Sequence, residues 1–336
     1  MADTMQEKLQ HEAARALAED RVQVVVGFEA GTLPLTATPV FITAPEEAGR
    51  LVWNPACGQN LAKYVHDLVA AHRAAQKRLK PEDRKKKVVG VVAPGCTSRS
   101  LAIHLNERQY GRDEVLVFGV PCTGVLDRRK LLEAAGGEEL LTGSFEDGRV
   151  RVESAAGAKD LAVRDLLAES CRSCAFNNPV LSDVMLGEPA PPHDAAREFT
   201  AVEAVEELSA DERWQGFAQE MAKCMRCNAC RNACPSCYCR TCFAEQSQPQ
   251  WVGIGQAEAD VQVFQLMRLY HMAGRCVDCG SCSAVCPMGV DLRRFLKKLD
   301  KDVLGMFGRR AGLSPDEPAA LAEAKEDDLE EFIYNP

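Results

Sequence analysis

The sequence predicts an α/β chain: an N-terminal α/β domain over residues 1–190, a C-terminal α-helical domain over 200–310 and an acidic tail over 311–336. Three observations predict it. Two near-continuous apolar runs, KVVGVVA (87–93) and EVLVFGV (114–120), are each followed by a loop and a helix-period stretch, the alternation expected of a parallel sheet with crossover helices. The Pro- and Gly-containing segment GEPAPPHD (187–194) marks a linker. Beyond it, apolar residues recur at helical spacing around a cysteine pattern that is written twice.

Taken in order, residues 5–19 are rich in strong helix formers and predict an exposed helix. VQVVVGFEAG (22–31), TATPVFIT (36–43) and GRLVWNP (49–55) read as short strands punctuated by Gly and Pro. Over 58–80, Leu61, Tyr64, Val65, Leu68 and Val69 fall on one helical face, and PEDRKKK (81–87) ends the helix. The loop PGCTSRS (94–100) leads into a helix near 99–108, and PCTG (121–124) into one near 126–135. Cys96 and Cys122 therefore lie at the carboxyl ends of strands, where α/β proteins place sites. The Gly-rich stretch 136–160 predicts a hairpin or loop. Ser209 and Glu212 fit a capping box for a helix that turns Trp214, Phe217 and Met221 inward. Further helices are predicted over 261–274 and over VDLRRFLKKL (290–299), the latter capped by Asp291 with Leu292, Phe295, Leu296 and Leu299 on one face.

The doubled pattern carries the chemistry. Cys224, Cys227, Cys230 and Cys234 follow C-x2-C-x2-C-x3-C-P, and so do Cys276, Cys279, Cys282 and Cys286. In the bacterial ferredoxin run one tight loop supplies three thiolates to a [4Fe-4S] cubane and the other run supplies the fourth. The expected ligand sets are Cys224, Cys227, Cys230, Cys286 and Cys276, Cys279, Cys282, Cys234, with Pro235 and Pro287 turning the chain away after each fourth cysteine. Zinc accepts C-x2-C pairs but leaves the third and fourth cysteines and both prolines unexplained. Disulfides are disfavoured in a chain without an export signal. Cys230, Cys234 and Cys237 share the C-x3-C-x2-C spacing of the radical-SAM triad, but they follow a helix rather than a barrel strand. Forty-one residues separate Cys234 from Cys276, which predicts a helical ferredoxin rather than the compact β type.

Of sixteen cysteines, eight lie outside this motif. A buried structural role suits any one of them but is a poor account of all eight. An economical partition gives Cys96, Cys122, Cys171 and Cys174 a third cluster and Cys237, Cys239, Cys242 and Cys57 a fourth, since sixteen thiols suffice for four cubanes. The 94–100 loop offers a helix N-terminus to an anion such as a flavin phosphate, although it lacks a dinucleotide fingerprint and an ordinary turn competes. Arg226, Arg231, Arg240 and Arg275 flank the cysteine runs, either to offset cluster charge or as solvated surface; His271, the histidine nearest a run, reads as packing. No Ser-His-Asp set, P-loop or HExxH motif is present. The net charge of -9 argues against a nucleic-acid partner. The absence of a signal-peptide core and of any run of about 20 apolar residues predicts a cytoplasmic protein without a membrane span.

With these residues in view, a family resemblance emerges. VVAPGCTSRSLAIHLNERQYGRDEVLVFGVPCTGVLD, SCRSCAFNNPVLSDVMLGE and the doubled cysteine run resemble, in that order, the beta subunits of formate dehydrogenase and of deazaflavin (coenzyme F-420)-reducing hydrogenase. The branch it most resembles is the dicluster ferredoxin-like one found beside heterodisulfide-reductase and flavin oxidoreductase proteins. The resemblance covers roughly residues 50–310. It implies an iron–sulfur electron-transfer subunit of an anaerobic oxidoreductase complex, relaying electrons between partner subunits. It also implies an alternative, a beta subunit that binds FAD and passes hydride to a deazaflavin or nicotinamide cofactor.

Overall fold

Val89–Ala93 (β3) and Val115–Gly119 (β4) are buried at every position, as Val-rich runs must be when both faces of a parallel sheet are covered. The computed structural model describes residues 4–191, 198–320 and 322. In it, β3 pairs in parallel with β4 and with Val24–Ala30 (β1). Ala37–Ile42 (β2) closes one edge antiparallel to β1, and its Pro39 is tolerated because that edge has no further partner. The strand order is β2-β1-β3-β4-β8, the last being the short parallel strand Val184–Met185. Met5–Ala18 (α1), Ala62–Gln76 (α2) and Gly95–Asn106 (α3) surround the sheet, and Val25, Phe28, Leu61, Val91, Leu101 and Phe118 form its core.

The expected strand at 49–55 does not form. Pro45–Arg50 makes a 3-10 turn, Leu51 is buried, and Asn54 accepts the Ala56 N–H at 2.9 Å to turn the chain before it extends. The Gly-rich 136–160 stretch takes the hairpin alternative and adds a third strand. Leu140–Glu146 (β5), Arg149–Ser154 (β6) and Gly157–Ala162 (β7) form an antiparallel sheet that packs on Arg128–Ala135 (α4).

The second half is helical: Glu169–Arg172 (α5), Thr200–Glu206 (α6), Ala210–Ala222 (α7), Ala229–Ala233 (α8), Glu258–His271 (α9), Ser281–Ala284 (α10) and Leu292–Phe307 (α11). The Ser209–Glu212 capping box is present, with Ser209 N–H donating to Glu212 at 2.8 Å. Phe217 and Met221 are buried. Trp214 is not; it is 55% exposed and lies over the solvent side of Phe217, with ring centroids 5.5 Å apart. Asp291 caps α11, whose Leu292 and Leu296 enter the helical core. Residues 187–191 of the expected linker carry no helix or strand, while 192–197, like 321 and 323–336 of the tail, lie outside the described residues.

Helix α3 ties the halves together. The Arg99 guanidinium donates to the Ala311 carbonyl at 3.0 and 2.7 Å and to that of Val277 at 3.3 Å. His104 Nε2 lies 2.8 Å from the Pro235 carbonyl, and Arg275 forks onto Glu107 at 2.5 and 2.8 Å. Gly312, at φ +68°, rests on the Arg99 carbonyl so closely that a Cβ there would lie 2.2 Å from it.

Candidate iron–sulfur centre

The two C-x2-C-x2-C loops fold alike. Arg226 and Asn228 bracket Cys227 with φ of 53° and 62°; Asp278 and Gly280 bracket Cys279 with 58° and 73°. Three non-glycine residues in the left-handed region at matching places are strain held by the surrounding structure, as happens at functional sites. Gly280 is glycine for a second reason: its Cβ would lie 2.3 Å from Ser170 Oγ. After each loop a short helix, α8 or α10, carries the third cysteine inward, so that Cys230 and Cys282 are buried.

Cys224, Cys227, Cys230 and Cys286 line one recess, so the fourth thiol comes from the other run. Backbone N–H groups point at its sulfurs: Arg226 to Cys224 at 3.4 Å and Val290 to Cys286 at 3.3 Å, joined by Gln265 Nε2 to Cys224 at 3.3 Å. Cys276, Cys279, Cys282 and Cys234 are also neighbours. Burial pushes Cys282 up to about 12 and, with the nearby charges of Asp278 and Cys282, drives Cys276 well above the usual thiol range. Thiols this buried stay protonated by themselves; coordination to a metal ion would deprotonate them. Among the described residues, no three His, Cys, Asp or Glu side chains suit a single metal ion. Four thiols around one recess suit the corners of a cubane, as in [4Fe-4S].

Helix α9 runs along both sets. Gln265 and Arg268 face the cysteines, and Met272 Sδ, just past the helix, is 3.6 Å from Cys234 Sγ. Arg268 is 4% exposed; its Nη2 donates to the Cys230 carbonyl at 2.8 Å, while Nε and Nη1 have no partner. A buried charge left unpaired is costly, so this guanidinium fits an anionic group among the thiols.

The outlying cysteines divide differently from the sequence partition. Cys57 joins Cys96, Cys122, Cys171 and Cys174 around a third recess in the α/β half. It is not brought to Cys237, Cys239 and Cys242, because the turn at Asn54 pins it there: Asn54 N–H donates to Cys57 Sγ at 3.4 Å. Burial pushes Cys57 and Cys122 up to about 12. Gly124 N–H donates to Cys122 Sγ at 3.4 Å and Val125 N–H to Cys171 Sγ at 3.3 Å. Cys96 lies in the first turn of α3 rather than in a preceding loop. Of the remaining three, Cys237 lies against Cys234, whose hydrogen bond brings it down to about 6; Cys242 packs near Ala244 and Phe264; Cys239 is exposed. Cys279 lines the third recess too, and with Cys96 it packs on Ile103, Val277 and Ala311.

The same α3 turn bears on the flavin expectation. Gly95, Thr97 and Ser98 are buried, and Gly95 abuts the Phe176 and Asn178 carbonyls, while Pro94, Gly95 and Cys96 line the cysteine recess.

Residues 220–290 match the family of the 4Fe-4S dicluster domain. They form a 4Fe-4S dicluster domain. The chain is similar to the F420-dependent formate dehydrogenase subunit beta of Methanocaldococcus jannaschii, 29% identical over 113 residues, or 33% of this chain and 28% of the relative. It is also similar to the F420-dependent formate dehydrogenase 1 subunit beta of Methanococcus maripaludis, 28% identical over 110 residues, or 33% of this chain and 27% of the relative. The matched stretches thus span little more than a quarter of these relatives' lengths. A chain in the F420-reducing [NiFe] hydrogenase complex of Methanosarcina barkeri superposes loosely, with a TM-score of 0.37 and 13% identity over 65% of this chain and 88% of that one. Among the described residues no helix is long and apolar enough to cross a membrane.

Proposed function

We propose that this chain is an electron-relay subunit of a cytoplasmic oxidoreductase complex of the formate dehydrogenase or heterodisulfide-reductase type, handing electrons between partner subunits. One observation supports this most: Cys279 belongs to the second thiol set and also lines the recess of the third, beside Cys96. The three sets therefore adjoin: Cys230 and Cys282 share one core cluster, and Cys279 and Cys96 share another. Clusters held there would supply one-electron chemistry. The chain's own part is to order the thiols, keep water from them and hold the two halves in register through α3. The dicluster domain would hold two cubanes on Cys224, Cys227, Cys230, Cys286 and on Cys276, Cys279, Cys282, Cys234. The α/β part, residues 1–190, would hold a third on Cys96, Cys122, Cys171 and Cys174.

Anaerobic reconstitution tests the reading. The isolated chain should bind about twelve irons, three cubanes of four. It should accept electrons from titanium(III) citrate, show spin coupling between centres in EPR, and turn over neither formate, deazaflavin nor nicotinamide. Reduction of a deazaflavin or NAD by the chain alone, with flavin released on denaturation, would replace the relay with the FAD-dependent alternative.

A further inference from the structure

We infer that Arg268 is a positioning residue whose buried positive charge sets how readily both halves of the dicluster domain accept an electron. The inference rests on the dicluster reading. Arg268 is 4% exposed and lies on the inner face of α9, one turn beyond Gln265, which reaches Cys224. Nη2 donates to the Cys230 carbonyl at 2.8 Å and the guanidinium also reaches the Cys237 thiol, which fixes it between the first thiol set and Cys237. Nε and Nη1 are buried without a partner. The ionisable side chains that act on this charge are Cys230 of the first set, Cys234 and Cys282 of the second, and Cys237.

No carboxylate is paired with Arg268 among the described residues. Among the described residues nearby, the half-buried Arg293 forks onto Asp278, and the buried Lys297 onto Glu198 and Asp300. Burying an arginine unmatched is unfavourable unless an anionic group faces it, and thiolates bound to iron are such a group. Charge and hydrogen bonding around the sulfurs are among the main protein levers on cluster potential. Each arriving electron adds negative charge beside this guanidinium, so Arg268 favours the reduced state on both sides. The third recess, in the α/β half, should not feel it.

The test uses the full chain, reconstituted anaerobically, with iron and sulfide determined and EPR-monitored reduction by titanium(III) citrate at a fixed poise. In R268M the reduced-to-oxidised ratio at both dicluster centres should fall at least tenfold, a shift of 59 mV for one electron. The third centre should stay unchanged as an internal control. R268K, which keeps the charge but loses the fork, should stay near wild type. An unchanged ratio in R268M, or an equal fall in R268K, overturns the inference. Should R268M lose its iron, R268Q takes its place. Iron loss in both neutral variants with retention in R268K supports a requirement for charge; loss in all three points to shape alone and overturns it. If the wild-type chain itself lacks two dicluster signals, it is the dicluster reading that fails.

Discussion

Gly95→Ala separates local from global effects. Gly95 opens α3, and a Cβ built on it would lie 2.1 Å from the Phe176 carbonyl oxygen and 2.9 Å from that of Asn178. Reaching even 3.0 Å requires the 176–178 backbone to retreat by about 0.9 Å, and a carbonyl cannot rotate away as a side-chain tip can. Overpacking of this kind costs about 1–3 kcal/mol. Exchanging Gly for Ala inside a helix returns about 1 kcal/mol. Overall stability should therefore change by no more than about 2 kcal/mol. The displaced backbone, however, holds Cys174 two residues upstream, and misplacing a ligand by about 1 Å is enough to spoil a site. We expect G95A to fall from about twelve to about eight irons per chain, with the two dicluster EPR signals intact and unfolding stability lowered by no more than about 2 kcal/mol. A full iron complement with an unaltered third signal would refute the reasoning.

Other outcomes follow from the same geometry. C286S, although it alters the second run, should abolish the signal of the first set, read by EPR, because Cys286 shares a recess with Cys224 and Cys227. Burial lowers His104 to about 3, against an unfolded value near 6.5, so the folded state favours the neutral ring. Its contribution is fully present above pH 6.5 and is lost at up to about 1.4 kcal/mol per unit as pH falls toward 3. Urea titrations from pH 6 to 4 should therefore show a flatter slope in H104Q than in wild type. Replacing Arg293 by Met leaves the nearly buried Asp278 with Lys297 at 3.4 Å but without its guanidinium fork, and should cost about 1.5–3 kcal/mol in urea unfolding. W214A should stay within about 0.5 kcal/mol, because Trp214 is largely exposed, whereas F217A should lose about 3–5 kcal/mol.

The parts of the site legible in the sequence are those written as spacing. Three thiolates on one loop and a fourth after a fixed interval leave a periodic record, and so do Val-rich strands buried on both faces. Partners chosen by topology leave none. Counting cysteines put Cys57 with Cys237, Cys239 and Cys242, but only the fold shows that the Asn54 turn delivers it beside Cys122. Trp214 fits the inward helical period, yet Phe217 already fills the core there. Arg268 and Gln265 did leave a signal: two polar residues three apart on a helical face otherwise made of Val261, Phe264 and Leu269. Arg226, Arg231, Arg240 and Arg275, chosen for nearness in sequence, are less buried than Arg268.

The walls of the third recess reach from Cys57 to Cys279, whereas the dicluster ligands lie between Cys224 and Cys286. Pairings that distant in the chain form late in folding, since a large loop must close before any contact rewards it. The helical half can gather its thiols locally, while the α/β recess lacks one wall until Cys279 and Asp278 dock against α5. On the proposed reading, a cofactor in this recess would have to arrive before the helical half seats on α3, or the halves would have to part again to admit it.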